Sequence, residues 1–236
     1  MTISISTVTE GIHQIDLGGT STTLIETGEG PVLIDLGWKW SYNRLKNSLR
    51  VLGYHPVDVS VAAVTHYHPD HSGGMGAFKR ESGGYLAVHA DEGDIYTSAI
   101  RTPSIMRGWR GGFGVLNPFL NFLGRNPTPA DILLRDDELL PAALEIEVIH
   151  TPGHTRGSVS FYIPAKRTLI VGDAMMHKHG RLYPPHNTFS HNRLAAWDSI
   201  RKLVEFDCSI VCFSHYPPLV GRGQDSIKEL AISLRW

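Results

Sequence analysis

Four side chains that can bind a metal ion lie close together in one short stretch, Thr65-His66-Tyr67-His68-Pro69-Asp70-His71. Imidazole and carboxylate are the ligand types that suit zinc and its neighbours in the first transition series. Three histidines and an aspartate packed this closely would repel one another without a cation between them. The H-x-H-x-D-H pattern therefore predicts a metal centre rather than a polar surface loop.

Three further candidate ligands each follow an apolar segment that is typical of a strand. His154 follows residues 144–149, Asp173 follows residues 168–171, and His215 follows residues 210–213. Taken alone, each of these three residues is as typical of a turn or of the protein surface as of a metal site. Together with the first four they supply seven ligands, which two metal ions sharing one carboxylate and one hydroxide would use in full.

The elements that must position these residues are short strands and helices. Alternating or unbroken apolar runs predict strands over residues 11–15, 22–27, 31–35, 59–64, 85–88, 144–150, 158–163, 168–171 and 210–213. Helical spacing predicts helices over residues 41–52, 73–81, 91 to about 100, 194–204 behind an N-cap at Ser190, and 226–234. This order predicts two layers of sheet covered by helices.

Two segments break this pattern. Residues 101–130 interleave apolar side chains, including Phe113 and Phe119, with glycine, proline and asparagine. This segment is either an extra helical hairpin that buries these residues or an apolar lid over the metal loop. Residues 175–189 are predicted to be irregular. No proline-rich or charged linker divides the chain, so we expect one domain over residues 1–236.

The composition is that of a globular protein, with 42% apolar and 19% charged residues. The net charge of -1 gives no support for binding to nucleic acid or to an anionic membrane. Only two cysteines occur, Cys208 and Cys212, which excludes a disulfide scaffold and predicts free thiols on one face of a strand. No signal peptide or membrane-spanning run is evident, so we expect the cytoplasm.

The order of these motifs resembles the metallo-beta-lactamase fold superfamily over nearly the whole chain. Asp35 ends a strand as the family's first motif does, and H-x-H-x-D-H, the glycine-histidine loop, the glycine-aspartate loop and the last histidine follow in the family's order. The resemblance implies an α+β fold, a four-layer αββα sandwich with the metals at one edge of the paired sheets.

The resemblance also implies a role for each candidate ligand. Two divalent metal ions are expected; zinc is the preferred metal, and iron, manganese and cobalt are the alternatives. The first ion would be held by His66, His68 and His154, and the second by Asp70, His71 and His215. Asp173 would bridge the two ions. Asp35 would steady the metal loop through hydrogen bonds.

Two metal ions about 3.5–4 Å apart bring the pKa of a bridging water close to neutrality and so supply hydroxide. We expect this hydroxide to attack the carbonyl carbon, or the phosphorus, of an ester-like substrate. Asp70 is expected to act as a catalytic residue as well as a ligand, by steering the proton from the nucleophile to the leaving group.

Departures from the family pattern narrow the range of possible substrates. True beta-lactamases of the superfamily lack the bridging aspartate, so Asp173 argues against a beta-lactam. Acyl-homoserine lactonases and single-domain glyoxalase II-like thioesterases look similar in size and ligand set. Many of the lactonases carry a tyrosine where this chain has Met176, and Tyr183 or Tyr216 is a candidate replacement. We therefore expect a hydrolase of lactones, esters or thioesters.

The alternatives are a persulfide dioxygenase-like enzyme with one iron ion and a phosphodiesterase. The full ligand set argues against the first, and the balanced net charge gives no support for the basic exosite that the nuclease branch of the second carries. A small-molecule substrate is expected, and an exposed apolar lid would equally serve as a homodimer surface. The predicted substrate pocket consists of Tyr67, Met176, Tyr183, Phe113 and Phe119, with lesser candidates in His177, His179, His186 and His191.

Overall fold

A seven-stranded sheet presents the first part of the site. The computed structural model describes residues 3–97 and 128–234. The strands lie in chain order: β1 (Ser4–Thr9), β2 (Ile12–Asp16), β3 (Ser21–Ile25), β4 (Val32–Ile34), β5 (Val61–Ala63), β6 (Tyr85–His89) and β7 (Ile132–Leu134). Strands β1 to β4 are antiparallel, and β4 to β7 are parallel. Because parallel strands end at the same edge, the segments that follow β4 and β5 lie side by side.

The second part of the chain forms a five-stranded sheet and a separate hairpin. Its strands are β8 (Glu147–His150), β9 (Val159–Ile163), β10 (Thr168–Ile170), β11 (Met176–Lys178), β12 (Arg181–Tyr183), β13 (Ile210–Cys212) and β14 (Leu219–Val220). The sheet has the order β14-β13-β10-β9-β8, and β11 pairs with β12. Strands β10 and β13 are parallel, so the residues that follow them also meet at one edge.

Helices cover the outer face of each sheet. They are α1 (Tyr42–Val51), α2 (Pro69–Ser72), α3 (Met75–Glu81), α4 (Gly93–Tyr96), α5 (Arg193–Leu203) and α6 (Gly223–Ser233). Leu45 of α1 packs in one apolar cluster with Leu33 of β4, whereas Ile200 of α5 packs in another with Val211 of β13. No helix in the described ranges is both long enough and apolar enough to cross a membrane.

A third apolar cluster lies between the two sheets. Side chains alternate across a strand, so Val32 and Ile34 of β4 enter this middle cluster while Leu33 points to the helices. Phe161 of β9 and Ile170 of β10 meet them from the second sheet. Helix, sheet, sheet and helix thus form four layers, which confirms the predicted αββα sandwich.

The predicted strands and helices lie where the apolar patterns placed them, with bounds shifted by a few residues, but three details were wrong. Residues 175–189 are not wholly irregular, since they contain the β11–β12 hairpin. The N-cap of α5 is Asn192 rather than Ser190, because the Asn192 side chain accepts hydrogen bonds from the first turn. Cys208 precedes β13 and packs in a different cluster from Cys212, so the two thiols do not share a strand face.

The apolar pattern of the sequence does not account for every strand, and part of what it predicts lies outside the described residues. It did not predict β1, β7 or β14, which are half-exposed or very short. The predicted helix from residue 91 is α4 with a 3-10 turn before it, and its end from residue 98 lies outside the described residues. Most of the 101–130 insertion, with Phe113 and Phe119, also lies outside them.

Candidate metal centre

Asp35 connects the segment after β4 to the segment after β5. Its backbone has a φ of 67°, a left-handed conformation that aspartate tolerates better than most residues. Its carboxylate accepts hydrogen bonds from the Thr65 backbone at 2.8 Å and from the Thr65 hydroxyl at 2.9 Å. The same carboxylate accepts from His71 Nδ1 at 2.8 Å and from the Ser214 hydroxyl at 3.0 Å. Because Nδ1 of His71 is held as the donor, Nε2 is the nitrogen that can offer a lone pair to a metal ion.

Three histidines form one half of the centre. Nδ1 of His68 lies 2.9 Å from Nε2 of His66 and 3.0 Å from Nε2 of His154. The three rings stand at 79° to 90° to one another, and their candidate ligand nitrogens all lie within 4.8 Å of one another. All three side chains are buried. A single proton on His68 Nδ1 can satisfy only one of the two neighbouring nitrogens, whereas one cation can accept a lone pair from each.

Two carboxylates and two histidines form the other half. Oδ2 of Asp70 lies 3.5 Å from Nε2 of His71 and 3.3 Å from Nε2 of His215. Oδ2 of Asp173 lies 3.4 Å from Nε2 of His215 and 3.8 Å from Nε2 of His71. The same Asp173 oxygen lies 3.5 Å from Nε2 of His154, which belongs to the first half. Asp173 is therefore the residue that stands between the two halves.

The electrostatics differ between the two halves. Burial, together with the neighbouring imidazoles, lowers the pKa of His66 and His68 well below the usual range, and burial lowers the pKa of His154 to about 4. These rings are neutral at physiological pH. Burial alone would raise the pKa of Asp70 and Asp173, but the charge of His71 and hydrogen bonds from His215 outweigh it and hold both values well below the usual range. Both carboxylates are ionised.

The chemistry of these residues fits the binding of divalent metal. Nε2 of His71 is buried and has no hydrogen-bond partner among the described residues, although two carboxylates face it. Leaving such a nitrogen unpaired costs about 1–3 kcal/mol. Neutral imidazoles in one half, and ionised carboxylates with imidazoles in the other, form the donor set of zinc or a similar ion.

Glu92 is a buried acid that the sequence analysis did not identify. It accepts hydrogen bonds from the Thr155 hydroxyl at 2.5 Å and from the Gly157 backbone at 3.1 Å, and a backbone hydrogen bond from Tyr67. Burial raises the pKa of Glu92 to about 7 against these hydrogen bonds. Glu92 thus ties the His66–His71 segment to the loop that carries His154. No sequence signal marks it, since it lies in an acidic run typical of a helix start.

A cavity of about 410 Å³ opens over the metal centre. Its wall contains His68, Asp70, His154, Asp173 and His215, and also Trp38, Pro69, Met175, Met176, Lys178, Pro185, His186, Phe189 and Tyr216. Of the residues predicted for the substrate pocket, Met176 lines this cavity, and of the lesser candidates His186 does.

Tyr67 and Tyr183, two other residues predicted for the substrate pocket, do not line this cavity. Tyr67 is only 4% exposed, and its hydroxyl lies 3.1 Å from Nε2 of His191, behind the metal loop rather than in the cavity. The Tyr67 ring packs instead in the apolar cluster that lies between the first sheet and its helices. Tyr183 is 39% exposed on β12 and does not line the cavity.

Comparison with protein families gives a match over most of the chain. The model of the metallo-beta-lactamase superfamily matches residues 15–215. Metallo-beta-lactamase domain-containing protein 1 of Xenopus laevis is 29% identical over 75% of this chain and 65% of its own length. The N-acyl homoserine lactonase of Bacillus thuringiensis is 27% identical over 61% of this chain and 58% of its own length. The chain thus matches less than two thirds of the length of either relative.

Solved structures share the fold. A metallo-beta-lactamase family protein from Thermus thermophilus superposes with a TM-score of 0.71, at 22% identity, over 96% of this chain and 80% of its own. A metallo-beta-lactamase from Pontibacter korlensis superposes with a TM-score of 0.72, at 18% identity, over 99% of this chain and 100% of its own. At these identities the likeness concerns the fold alone.

Proposed function

Because this chain belongs to the metallo-beta-lactamase superfamily, whose members are mostly hydrolases and usually bind divalent metals, we propose that it is a dinuclear metal-dependent hydrolase of lactones, esters or thioesters. One observation carries the proposal. Oδ2 of Asp173 lies within 3.8 Å of ring nitrogens from both halves of the centre. A carboxylate in that position can be shared by two ions, which a site for one ion does not need.

The chain's own residues divide the work. His66, His68 and His154 would hold one ion, Asp70, His71 and His215 the other, and Asp173 both. When bound, the ions, which we propose to be zinc, supply a hydroxide nucleophile near neutral pH and polarise the carbonyl oxygen of the substrate. Asp70 is ionised and lines the cavity, so it can accept the proton of the nucleophile and return it to the leaving group.

The cavity wall supports an acyl substrate. Trp38, Met175, Met176 and Phe189 offer apolar surface next to the metal ligands. Such a wall fits a hydrocarbon chain attached to the scissile carbonyl, because it removes apolar surface from water. The lactonase relative supports this class only in general terms, since the match spans 58% of its length.

Metal content and turnover test the proposal together. We expect protein purified without added metal to contain about two zinc equivalents per chain by plasma mass spectrometry, and to hydrolyse lactones or thioesters faster than phosphodiesters. One iron per chain, with oxygen consumption on a persulfide, would overturn it in favour of the oxygenase. Faster turnover of phosphodiesters would overturn the substrate class only.

A variant pair tests the role of Asp173. Asp173→Asn should reduce the metal content and lower kcat at least about 100-fold, because an amide is a poor ligand between two cations. Asp198→Asn is the matched control, since Asp198 is an exposed helical aspartate that pairs with Arg201. Equal metal content and kcat in the two variants would contradict a shared ligand at Asp173.

The other expectations from the sequence stay predictions. They are a single domain, a small-molecule substrate rather than nucleic acid or membrane, a homodimer, and a cytoplasmic location. No contact among the described residues bears on them.

A further inference from the structure

His215 is the histidine of the metal centre that packing alone does not hold. Its side chain is 28% exposed, whereas the other four histidines of the centre are buried. A buried ring is held by its neighbours, but a ring that is open to solvent on one side can turn unless hydrogen bonds orient it. Hydrogen bonds must therefore set the direction of the lone pair that His215 offers to a metal ion.

The turn between β2 and β3 supplies one of these hydrogen bonds. Nδ1 of His215 donates to the Gly19 carbonyl at 2.7 Å. A carbonyl can only accept, so Nδ1 carries the proton and Nε2 is the nitrogen that can face a metal ion. That Nε2 lies 3.3 Å from Asp70 and 3.4 Å from Asp173. Gly19 itself has a φ of 96°, a conformation that glycine adopts without strain.

Gln14 of β2 holds the backbone on both sides of His215, in what we call the His215 segment, residues 213–216. Nε2 of Gln14 donates to the Phe213 carbonyl at 2.5 Å and to the Tyr216 carbonyl at 3.1 Å. Both partners are acceptors, so the amide nitrogen with its two protons is the atom that must face them. Gln14 is only 6% exposed, so these carbonyls would lose a partner that water does not readily replace.

A backbone contact adds to this attachment of the hairpin to the His215 segment. The Ser21 N–H, at the start of β3, donates to the Ser214 carbonyl at 2.6 Å. The hairpin belongs to the first sheet, whereas the His215 segment follows β13 of the second sheet. These hydrogen bonds therefore fix a ligand that one sheet presents against a strand pair of the other sheet.

We propose that the β2–β3 hairpin orients His215 toward its metal ion and that Gln14 is the positioning residue in this hairpin. The inference rests on the proposed function and deepens it, because it states which of the two ions depends on the hairpin. Among the described residues, the hydrogen bonds of the Gln14 side chain go to the His215 segment and not to the half formed by three histidines. Loss of Gln14 should therefore weaken the ion at His215 and spare the other ion.

Gln14→Met tests this role, because methionine has a similar length and no hydrogen to donate. Competition of cobalt-loaded protein with a chelator, followed in the visible spectrum, gives the affinity of each ion. We expect the ion at His215 to bind about 10-fold more weakly and the other ion to stay within about a factor of two of the wild type. Gln224→Met is the matched control and should change neither affinity, since Gln224 also donates to a backbone carbonyl, that of Val204, but between the end of α5 and the start of α6.

Gly19→Ala reaches the same ligand by a second route and keeps the test informative if Gln14→Met does not fold. No atom lies within 4 Å of the added Cβ, but alanine is strained at a φ of 96°, so the turn must shift and move its carbonyl away from His215. Gly53→Ala is the matched control, since Gly53 has a φ of 86° and equal space but follows α1. Only Gly19→Ala should weaken the ion at His215.

Hydrogen exchange separates this role from the proposed function, because it needs no metal. In metal-free protein, Gln14→Met should speed exchange of the Ser21 amide about 10-fold relative to Gln224→Met, since the segment that accepts from this amide loosens. Unchanged exchange would overturn the role of Gln14. A wild type that binds two ions, with both or neither weakened in Gln14→Met, would overturn that role and leave the hydrolase standing. A wild type that binds no metal would overturn the proposed function and the role together.

Discussion

Replacing Asp35 by asparagine tests how the second half of the metal centre is held. Asparagine has nearly the same shape and also tolerates the left-handed φ of 67° at this position, so the backbone does not have to move. One side-chain oxygen can still accept from the Thr65 backbone. The other oxygen becomes an NH₂ group, which faces the donors His71 Nδ1 and Ser214 Oγ. The change therefore sets donor against donor at a buried position.

The expected magnitude follows from the tautomer of His71. With Asp35, Nδ1 of His71 carries the proton and Nε2 is free for a metal ion. With asparagine in its place, the favourable hydrogen bond requires the proton on Nε2, which removes the ligand. Loss of such an outer partner lowers metal affinity about 10- to 100-fold, equivalent to about 1.4–2.7 kcal/mol. We expect this loss at the ion held by His71 and a smaller one at the ion held by the three histidines.

Competition of cobalt-loaded protein with a chelator, followed in the visible spectrum, gives the two affinities separately. Ser214→Ala removes a hydrogen-bond donor to Oδ2 of Asp35 but does not change the tautomer of His71, so we expect either metal affinity to change by less than about fivefold. Asp207→Asn is the control for the chemistry of the substitution, because Asp207 is exposed, pairs with Arg167 and precedes β13, whereas His215 follows that strand. If Asp35→Asn kept both affinities within a factor of two of the wild type, the tautomer argument would be refuted.

Three more outcomes follow from the structure. Burial raises the pKa of Glu92 from 4.5 to about 7, so its protonated form contributes stability that is complete below pH 4.5 and is lost as the pH rises through 7. In urea unfolding of metal-free protein, the free energy of unfolding of Glu92→Gln should therefore rise by about 3 kcal/mol relative to that of the wild type between pH 4.5 and pH 8. Gly153 has a φ of 138°, and a Cβ at this position would lie 2.2 Å from the backbone nitrogen of Ala196. Gly153→Ala should therefore lower the free energy of unfolding by roughly 2–4 kcal/mol. Gly53→Ala is the control and should lower it by about 1 kcal/mol, because no atom lies within 4 Å of the added Cβ. Chelation of the metals should lower the melting temperature, because a metal ion at a free concentration of 1,000 times its Kd stabilises the folded state by about 4 kcal/mol. A melting curve that does not respond to free zinc would contradict metal binding by the folded state.

Much of the fold was predictable because apolar patterns are strong where strands are buried. The run over residues 59–64 marks β5, and Leu45 and Leu49 mark the inner side of α1. Strands β1, β7 and β14 escaped prediction since they are short or half-exposed, and a strand at an edge needs few apolar residues.

The candidate site was predictable only in part, for a similar reason. The residues that could bind a metal follow strands, and the ends of parallel strands lie at the same edge of a sheet. Local sequence patterns were therefore enough to predict that these residues lie close together. The wall of the cavity comes from distant segments, and Trp38, Lys178 and Phe189 carry no local mark of their position. Glu92 shows the same limit, because its importance lies in contacts more than sixty residues away in sequence.

The strict strand order of the first sheet has a consequence for how the molecule forms during synthesis. Each of β1 to β7 pairs with its neighbour in sequence, so this sheet can assemble as the chain leaves the ribosome, once residue 134 is available. His66, His68, Asp70 and His71 are then already in place on it. The partners His154, Asp173 and His215 arrive only with the second sheet. The complete ligand set of the proposed metal centre is thus assembled only when the second sheet has formed.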